Sequence, residues 1–246
     1  MKTVPLESFH QMLDLEVPVT LSPQLRGLPL TSWTMDADDQ ILRQVFRQFR
    51  PSRHLEFGTW SGDGVLRVVE ECDATVWTIN LLEGETKPNG QWAYGSLHGS
   101  GSEPGPASSE KMKTDAGTWI RTDAYGQIGR KYLEAGWGKR VCQVYADSRE
   151  WDTSAYPDAF FDTVFIDGGH AADIVENDTA LAVRLTRPGG LVIWHDFCPE
   201  PDVQAACGST QGVVQFISTH ARELGLLFEK LFWVSPSWLL FGVRCH

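Results

Sequence analysis

The sequence has 246 residues, of which 42% are hydrophobic, and a formal net charge of −11 at pH 7. This composition is typical of a globular protein with room for one α/β domain and a large core, and it argues against a disordered chain. The acidic balance argues against nucleic acid and anionic membranes as partners, because both attract basic surfaces. No apolar run approaches the roughly 18 residues that a transmembrane helix needs.

The N-terminal residues and the cysteines indicate in which cellular compartment the protein is expected. No apolar run of the kind found in secretory signals follows Lys2. The five cysteines are scattered without a CxxC pair, which favours reduced thiols in a cytoplasmic protein and does not indicate a zinc site. The sequence does not determine the oligomeric state, so a homo-oligomer is left open.

Residues 1–35 contain four prolines and no sustained periodicity, so we expect an irregular N-terminal arm or lid. A helix is predicted over residues 36–49, because acids open it and apolar residues then recur on one face. Pro51 follows and ends this helix. Residues 36–246 are expected to form the main domain.

A glycine-rich turn, GTWSGDG, begins at Gly58, directly after a strand predicted over residues 54–57. A helix follows, with apolar residues from Val65 onward. A strand, a glycine turn and a helix N-terminus form a cradle for nucleotide-like cofactors, because glycine permits close backbone approach. The spacing differs from the GxGxxG fingerprint, which argues against NAD. Trp60, inside the turn, is a candidate wall of the cofactor site.

The second predicted strand covers residues 74–80 and ends at Asn80, where a doubly wound sheet usually has an acid that binds the ribose hydroxyls. Asparagine can accept from and donate to a diol, and Glu83 could substitute for it. Residues 84–126 then form an insertion rich in Gly, Ser and Pro. This insertion is either a flexible surface segment or a substrate-covering loop whose aromatic residues stack on a ligand.

Strands and helices alternate along the rest of the chain. The predicted helices cover residues 128–135, 174–185 and 212–224, and the predicted strands cover residues 141–145, 161–167, 191–196, 227–234 and 238–243. We expect Pro188-Gly189-Gly190 to end the second of these helices. The last two strands are separated by Ser235-Pro236-Ser237, which predicts a C-terminal antiparallel hairpin.

Two neighbouring strands of this predicted sheet end in polar residues. The strand over residues 161–167 ends at Asp167, with His170 three residues later, and the next strand ends at His195-Asp196. Open α/β sheets keep their active sites at the carboxyl ends of parallel strands. We therefore predict that Asp167, His170, His195 and Asp196 converge on one site.

The ordered set of motifs HLEFGTWSGDG, YADSREW, FIDGGH and PGGLVIWHDF resembles class I S-adenosylmethionine (SAM)-dependent methyltransferases. Within that superfamily, the chain is similar to small-molecule O-methyltransferases with a D-G-x-H, P-G-G and H-D pattern. The resemblance covers residues 36–246 apart from the insertion. It implies a Rossmann-like α/β sandwich with a seven-stranded, mostly parallel sheet, strand order 3-2-1-4-5-7-6, and a C-terminal antiparallel hairpin.

The resemblance also implies a set of cofactor contacts along the strand ends. These are Glu56, Gly58, Ser61 and Gly62 for the methionine part of SAM, Asn80 for the ribose, Asp147 and Ser148 for the adenine, and Asp167 beside the sulfonium. Asn80 departs from the family, which usually has an acid at that position.

Related catechol-type enzymes hold a divalent cation with an Asp after strand four and an Asp-Asn pair after strand five. The corresponding ligands here are Asp167, His195 and Asp196. A histidine ligand makes magnesium less favoured than manganese, iron or zinc. His170 holds the position of the family's base.

Methyl transfer from a sulfonium requires a nucleophile close to the methyl carbon and removal of its proton. We hypothesise O-methylation of a small molecule, with His170 as base and Asp167, His195 and Asp196 orienting the oxygen, with or without a cation. The alternatives are N-methylation of a similar metabolite and a SAM-binding module without catalysis. His170 could instead cap the following helix, and His195-Asp196 could be a structural pair. Asp178 is expected to be partnered rather than catalytic.

Overall fold

A computed structural model of the chain describes residues 1–33, 35–81, 111–113, 119–121 and 128–246. Most of the insertion lies outside these ranges, so neither interpretation of it is tested. Within the described ranges, no helix combines the length and the apolar character needed to cross a membrane.

The secondary structure follows the alternation of apolar runs and helical stripes in the sequence. The strands are β1 (Lys2–Pro5), β2 (Arg53–Phe57), β3 (Thr75–Asn80), β4 (Lys111–Lys113), β5 (Trp119–Arg121), β6 (Val141–Tyr145), β7 (Phe161–Ile166), β8 (Thr186–Trp194), β9 (Phe228–Ser235) and β10 (Leu240–Arg244). The α-helices are α1 (Leu6–Phe9), α2 (Met35–Phe49), α3 (Asp63–Val69), α4 (Arg130–Glu134), α5 (Ala172–Leu185), α6 (Pro201–Ala206), α7 (Gly208–Thr219) and α8 (Ala221–Leu227). Short 3-10 turns lie at His10–Met12, Leu30–Ser32 and Gly138–Arg140.

One eight-stranded sheet, in the order β6-β3-β2-β7-β8-β10-β9-β1, organises the described residues. Its first seven strands have the predicted order, and β10 runs antiparallel to both β8 and β9. The predicted Rossmann-like sandwich and its C-terminal hairpin are therefore confirmed. The strand count differs, because β1 joins the edge of the sheet parallel to β9. Within the insertion, β4 and β5 form a separate antiparallel pair.

Both faces of the sheet are covered by apolar residues. Along β7, Val164 and Ile166 belong to one buried cluster and Phe165 to the other, as the two-residue period of a strand requires. The cluster around Phe165 includes residues of α2, α3 and the N-terminal segment, whereas the cluster around Val164 includes residues of α5 and α7. This arrangement leaves the strand ends as the place for polar chemistry.

Two predicted boundaries were wrong. Pro188-Gly189-Gly190 lies inside β8 and does not end α5, which stops at Leu185. The pairing of β8 with β7 shifts register at this point, so the three residues form an irregularity where a missing N–H and a missing side chain are tolerated. The single helix predicted over residues 212–224 is divided into α7 and α8 at His220.

The N-terminal segment is less irregular than expected. It contains β1, α1 and two 3-10 turns. Eight of its apolar residues are buried in the cluster around Phe165: Val4, Leu6, Phe9, Leu13, Leu15, Val19, Leu21 and Trp33. Whether the segment moves as a lid stays a prediction.

Three glutamines of α2 hold part of this segment, and we call them the glutamine ladder. They are spaced four residues apart, so they lie on one face of the helix. Each side-chain oxygen accepts a hydrogen bond of 2.7–3.0 Å from a backbone N–H: Gln48 from Val17, Gln44 from Thr20 and Gln40 from Ser22. Gln44 and Gln48 also donate to the carbonyl of the same residue. The ladder thus pairs with the backbone much as a neighbouring strand would.

We expect Gln44→Ala to lower the free energy of unfolding by roughly 1–2 kcal/mol, because it removes two hydrogen bonds to the backbone of Thr20. Urea titration would measure the loss. Arg47→Ala is the matched control on the same helix. Its ion pair with Glu71 involves a side chain that is 61% exposed, so its loss should cost less than about 1 kcal/mol. Equal losses in the two variants would contradict a stabilising role for the ladder.

Candidate active site

The carboxyl ends of five parallel strands meet at one edge of the sheet. Backbone hydrogen bonds of 2.9–3.0 Å join them in sequence: Ala146 N–H to Asn80, Gly58 N–H to Ile79, Asp167 N–H to Phe57, and His195 N–H to Ile166. The glycine turn, Asn80 and the two acidic strand ends therefore lie in a single row.

The glycine turn lies directly against the loop that begins at Asp167. Gly58 and Gly62 have φ angles of +99° and +96°, a region that favours glycine. A Cβ at Gly58 would overlap the carbonyl oxygen of Asp167. A Cβ at Gly62 would come within 2.8 Å of Cδ1 of Tyr132, so this glycine is needed for packing on α4. The glycines therefore bring the turn close to its protein neighbours.

Trp60 and Ser61 occupy the outer part of the turn. The backbone N–H of Trp60 donates to Oδ1 of Asn80 at 3.0 Å, which ties the turn to the end of β3. The Trp60 side chain is 47% exposed, so it is available to contact a ligand. The Ser61 hydroxyl donates to Asp63 at 2.6 Å, and Lys131 binds the same carboxylate.

Glu56 lies beneath the turn and is fully buried. Its Oε2 accepts a hydrogen bond from the Thr78 hydroxyl at 2.9 Å. Its Oε1 has no hydrogen-bond partner among the described residues, and it occupies the space where a side chain at Gly64 would begin. Burial disfavours the ionised form and raises the pKa of Glu56 to about 8. In the ligand-free protein Glu56 is therefore mostly protonated at neutral pH, and a cationic group brought against it would favour its ionised form.

Asp147 and Ser148 follow the end of β6. Asp147 accepts hydrogen bonds from the backbone N–H and the guanidinium of Arg149, at 2.9 and 2.6 Å, and the hydrogen bonds with Arg149 lower its pKa. Ser148 contacts Asn177 and Asp178 on α5. Asp178 is buried, which raises its pKa to about 6, and it is partnered by Asn177 at 3.1 Å. Asp147 and Ser148 therefore lie at the end of the row opposite His195, whereas Asp178 lies beside Gly168 in the loop after β7.

His195 is buried among three carboxylates. Its Nδ1 lies 3.0 Å from Oδ1 of Asp167 and 3.1 Å from Oδ2 of Asp196, and its Nε2 lies 3.4 Å from Oδ2 of Asp38. Burial alone would lower the pKa of His195, but the charges of Asp167 and Asp196 and their hydrogen bonds raise it well above its usual value. The three carboxylates around the buried ring therefore favour its protonated form.

His170 pairs with Asp196 at the surface of this cluster. Its Nε2 lies 2.8 Å from Oδ2 of Asp196, and its side chain is 43% exposed. Burial lowers the pKa of His170, but the hydrogen bond and charge of Asp196 and the charge of Asp167 raise it by more. The structure thus brings Asp167, His170, His195 and Asp196 together.

The donor set of this cluster fits a metal ion at Asp167, His170 and Asp196. One ligand atom from each residue lies within 4.8 Å of the others. His195, predicted as a ligand, is not in this group, and both of its ring nitrogens face carboxylates. Its role as a ligand stays a prediction, and His170 is a second candidate for the imidazole of a metal site.

Two residues of the cluster were missed by the sequence analysis. Asp38 on α2 accepts a hydrogen bond from the Trp33 indole at 2.8 Å and faces His195. Its spacing from Leu42 and Val45 puts this acid on the apolar face of α2, which is a signal that could have identified it. Ser209 on α7 donates to Asp196 at 2.7 Å, and no pattern in the sequence points to it.

This sheet order and this row of strand ends define a Rossmann-like methyltransferase sandwich. Residues 55–197 match a family model described as a methyltransferase domain, and the chain belongs to that family. No curated protein sequence matches the chain.

Solved structures with the same fold include two methyltransferases. The chain is similar to an O-methyltransferase from Bacillus cereus in complex with SAH, with 17% identity over 97% of this chain and 90% of that one, at a TM-score of 0.50. It is also similar to an SAH-bound methyltransferase from Podospora anserina, with 15% identity over 88% of this chain and 84% of that one, at a TM-score of 0.51. At these identities the likeness concerns the fold.

Proposed function

We propose that this protein transfers the methyl group of SAM to a hydroxyl group of a small molecule. The observation that carries the proposal is the His170–Asp196 pair, which offers a proton acceptor on the loop that packs against the glycine turn. Membership of the methyltransferase family supports the reaction class. An oxygen nucleophile needs a base more than an amine does, which favours a hydroxyl as the acceptor.

The residues along the strand ends fit SAM. Glu56 has a buried oxygen without a partner among the described residues, and the positive charge of SAM would lower the pKa of this carboxyl group and favour its ionised form. In this proposal Gly58, Ser61, Gly62 and Trp60 surround the methionine part. Asn80 binds the ribose, Asp147 and Ser148 bind the adenine, and Asp167 lies beside the sulfonium.

His170 acts as the base through its Nδ1 atom, because Nε2 is held by Asp196. Asp196 fixes the orientation of the ring and stabilises the imidazolium that forms when the acceptor's proton is taken. Asp167, which is held by the buried His195, then orients the acceptor oxygen, which must come within about 3–3.5 Å of the methyl carbon.

A second form of the proposal includes a divalent cation held by Asp167, His170 and Asp196. When bound there, a cation such as Mn²⁺, Zn²⁺ or Mg²⁺ would lower the pKa of the acceptor hydroxyl, and the imidazole favours the first two. His170 would then orient the acceptor as a ligand instead of removing its proton.

Calorimetric titration with SAM, followed by transfer of a labelled methyl group to a panel of hydroxyl and amine compounds, tests the proposal. We expect SAM binding and transfer to hydroxyl compounds. Absence of SAM binding would contradict it, transfer to amines alone would support N-methylation, and binding without any transfer would support a non-catalytic module. Turnover that survives exhaustive chelation would reject the form with a cation.

Two further expectations belong to this proposal. Trp33 ends the N-terminal segment and bonds to Asp38, which contacts the buried His195. This contact supports the proposal that residues 1–35 border the acceptor side, with residues 36–246 forming the catalytic domain. The five cysteines are free thiols, which is the basis for proposing a cytoplasmic location.

A further inference from the structure

We propose that Ser209 is a positioning residue for the His170–Asp196 pair, and that α7 holds both members of the pair in the geometry needed for proton removal. This inference rests on the proposed function, because it concerns the same base. Ser209 lies beyond residues 55–197, the part of the chain that matches the methyltransferase family.

Ser209 completes the hydrogen bonding of the Asp196 carboxylate. Its hydroxyl donates to Oδ1 at 2.7 Å, while Oδ2 faces Nε2 of His170 at 2.8 Å and Nδ1 of His195 at 3.1 Å. With both oxygens engaged, the carboxylate has one preferred rotation about its Cβ–Cγ bond. Without the Ser209 hydroxyl, Oδ1 loses its donor and the plane of the carboxylate is no longer fixed from that side.

The backbone of Asp196 makes this support more important. Its φ angle is +54°, a left-handed conformation that is uncommon for residues with a side chain, although Asp adopts it more readily than most. This conformation sets the direction in which the side chain leaves the backbone, and Ser209 supplies the contact from α7 at the carboxylate.

The same helix also touches the loop that carries His170. A Cβ at Gly212 would overlap the carbonyl oxygen of His170 and would lie 3.0 Å from the backbone nitrogen of Ala172. Ser209 and Gly212 are three residues apart, so they lie on one face of α7. The helix α7 thus contacts the carboxylate of Asp196 through Ser209 and the backbone of His170 through Gly212.

The start of α7 is itself held by side-chain hydrogen bonds. The buried Thr210 hydroxyl donates to the carbonyl of Cys207 at 2.8 Å, and Cys207 Sγ lies 3.3 Å from Ser209 Oγ. Thr210 thus stabilises the helix start, whereas Ser209 faces the acid–histidine cluster. This difference provides a matched pair of neighbouring hydroxyls for an experiment.

The test compares Ser209→Ala, Ser209→Thr and the control Thr210→Val. We expect Ser209→Ala to lower kcat by about 10- to 100-fold, the range typical of a residue that orients a group in the site, with KM and Kd for SAM unchanged. Ser209→Thr should recover most of the loss because it restores the hydroxyl. Thr210→Val should lower the melting temperature and leave kcat within about twofold of the parent, because it removes a hydroxyl that does not contact Asp196.

A measurement that needs no acceptor separates this inference from the proposed function. In the protein labelled with ¹⁵N-histidine, the ring signals of His170, assigned through a His170→Gln variant, report its hydrogen bond with Asp196. We expect these signals to shift or broaden in Ser209→Ala and to be unchanged in Thr210→Val. Unchanged His170 signals in Ser209→Ala, or an equal effect in Thr210→Val, would overturn the inference. Absence of SAM binding by the parent would instead overturn the proposed function.

Discussion

The His170→Gln variant should lose roughly 10²- to 10⁴-fold in kcat while binding SAM as tightly as the parent. A glutamine side chain can still donate a hydrogen bond to Asp196, as Nε2 of His170 does at 2.8 Å, but its amide cannot take up the acceptor's proton. The substitution therefore removes proton transfer with little change in shape. Transfer of a labelled methyl group measures kcat, and calorimetry measures SAM binding.

His220→Gln is the control for His170→Gln. His220 lies at the C-terminal end of α7, where its Nδ1 is 3.1 Å from the carbonyl oxygen of Phe216 and has no role in the proposed reaction. We expect its kcat to lie within about twofold of the parent, as for a half-buried residue away from the site. Full turnover by His170→Gln would remove the assignment of the base. If that variant also loses binding of Mn²⁺ or Zn²⁺ that the parent shows, the role of His170 as a ligand is favoured.

Replacing Glu56 with Gln should change how the stability of the ligand-free protein depends on pH. The folded-state pKa of Glu56 is about 8, against an ordinary value of 4.5, because the carboxyl group is buried. Between these values the folded state binds more protons than the unfolded state, so the free energy of unfolding falls as the pH rises. The stability that the protonated Glu56 contributes is fully present below pH 4.5. It decreases between pH 4.5 and about pH 8, by up to about 1.4 kcal/mol per pH unit.

The Glu56→Gln variant is a neutral mimic of the protonated acid, so this contribution to the slope should disappear. Urea titrations of the parent and the variant from pH 5 to about pH 8 would measure it as a difference between the two proteins. Burial lowers the pKa of His54 to about 3, so His54 makes the stability of both proteins rise with pH below 6.5. Subtracting one curve from the other removes this shared effect and leaves the contribution of Glu56. Glu70→Gln is the control, since Glu70 is a surface acid paired with Arg43. Parallel curves for the parent and Glu56→Gln would contradict the prediction.

The sheet could be predicted where local patterns decide the structure. Short apolar runs bounded by glycine, proline or polar residues marked seven strands, and the resemblance to a known family implied their order. The strand β1 was missed, because four residues containing a proline carry little local signal and pair only with the distant β9. The irregularity at Pro188-Gly189-Gly190 was missed for a similar reason. A proline and two glycines are tolerated inside β8 because the pairing of β8 with the distant β7 shifts register there, and no local pattern shows this shift.

The candidate site was predictable as a location but not as a set of contacts. Strand ends meet at one edge of a parallel sheet, so Asp167 and His195 could be placed together from the sequence. The direction in which each ring nitrogen points could not be predicted, and in the structure both nitrogens of His195 face carboxylates. Ser209 lies on a separate helix, and a serine at a helix start has many structural uses.

The pairing of β1 with β9 has a consequence for how the protein is made. Lys2 lies opposite Phe232, so β1 cannot join the sheet until residues near position 232 have left the ribosome. Until then, the apolar side chains of the N-terminal segment lack part of their final surroundings. Such long-range closure slows folding, and it makes this edge of the sheet the last to be completed during synthesis.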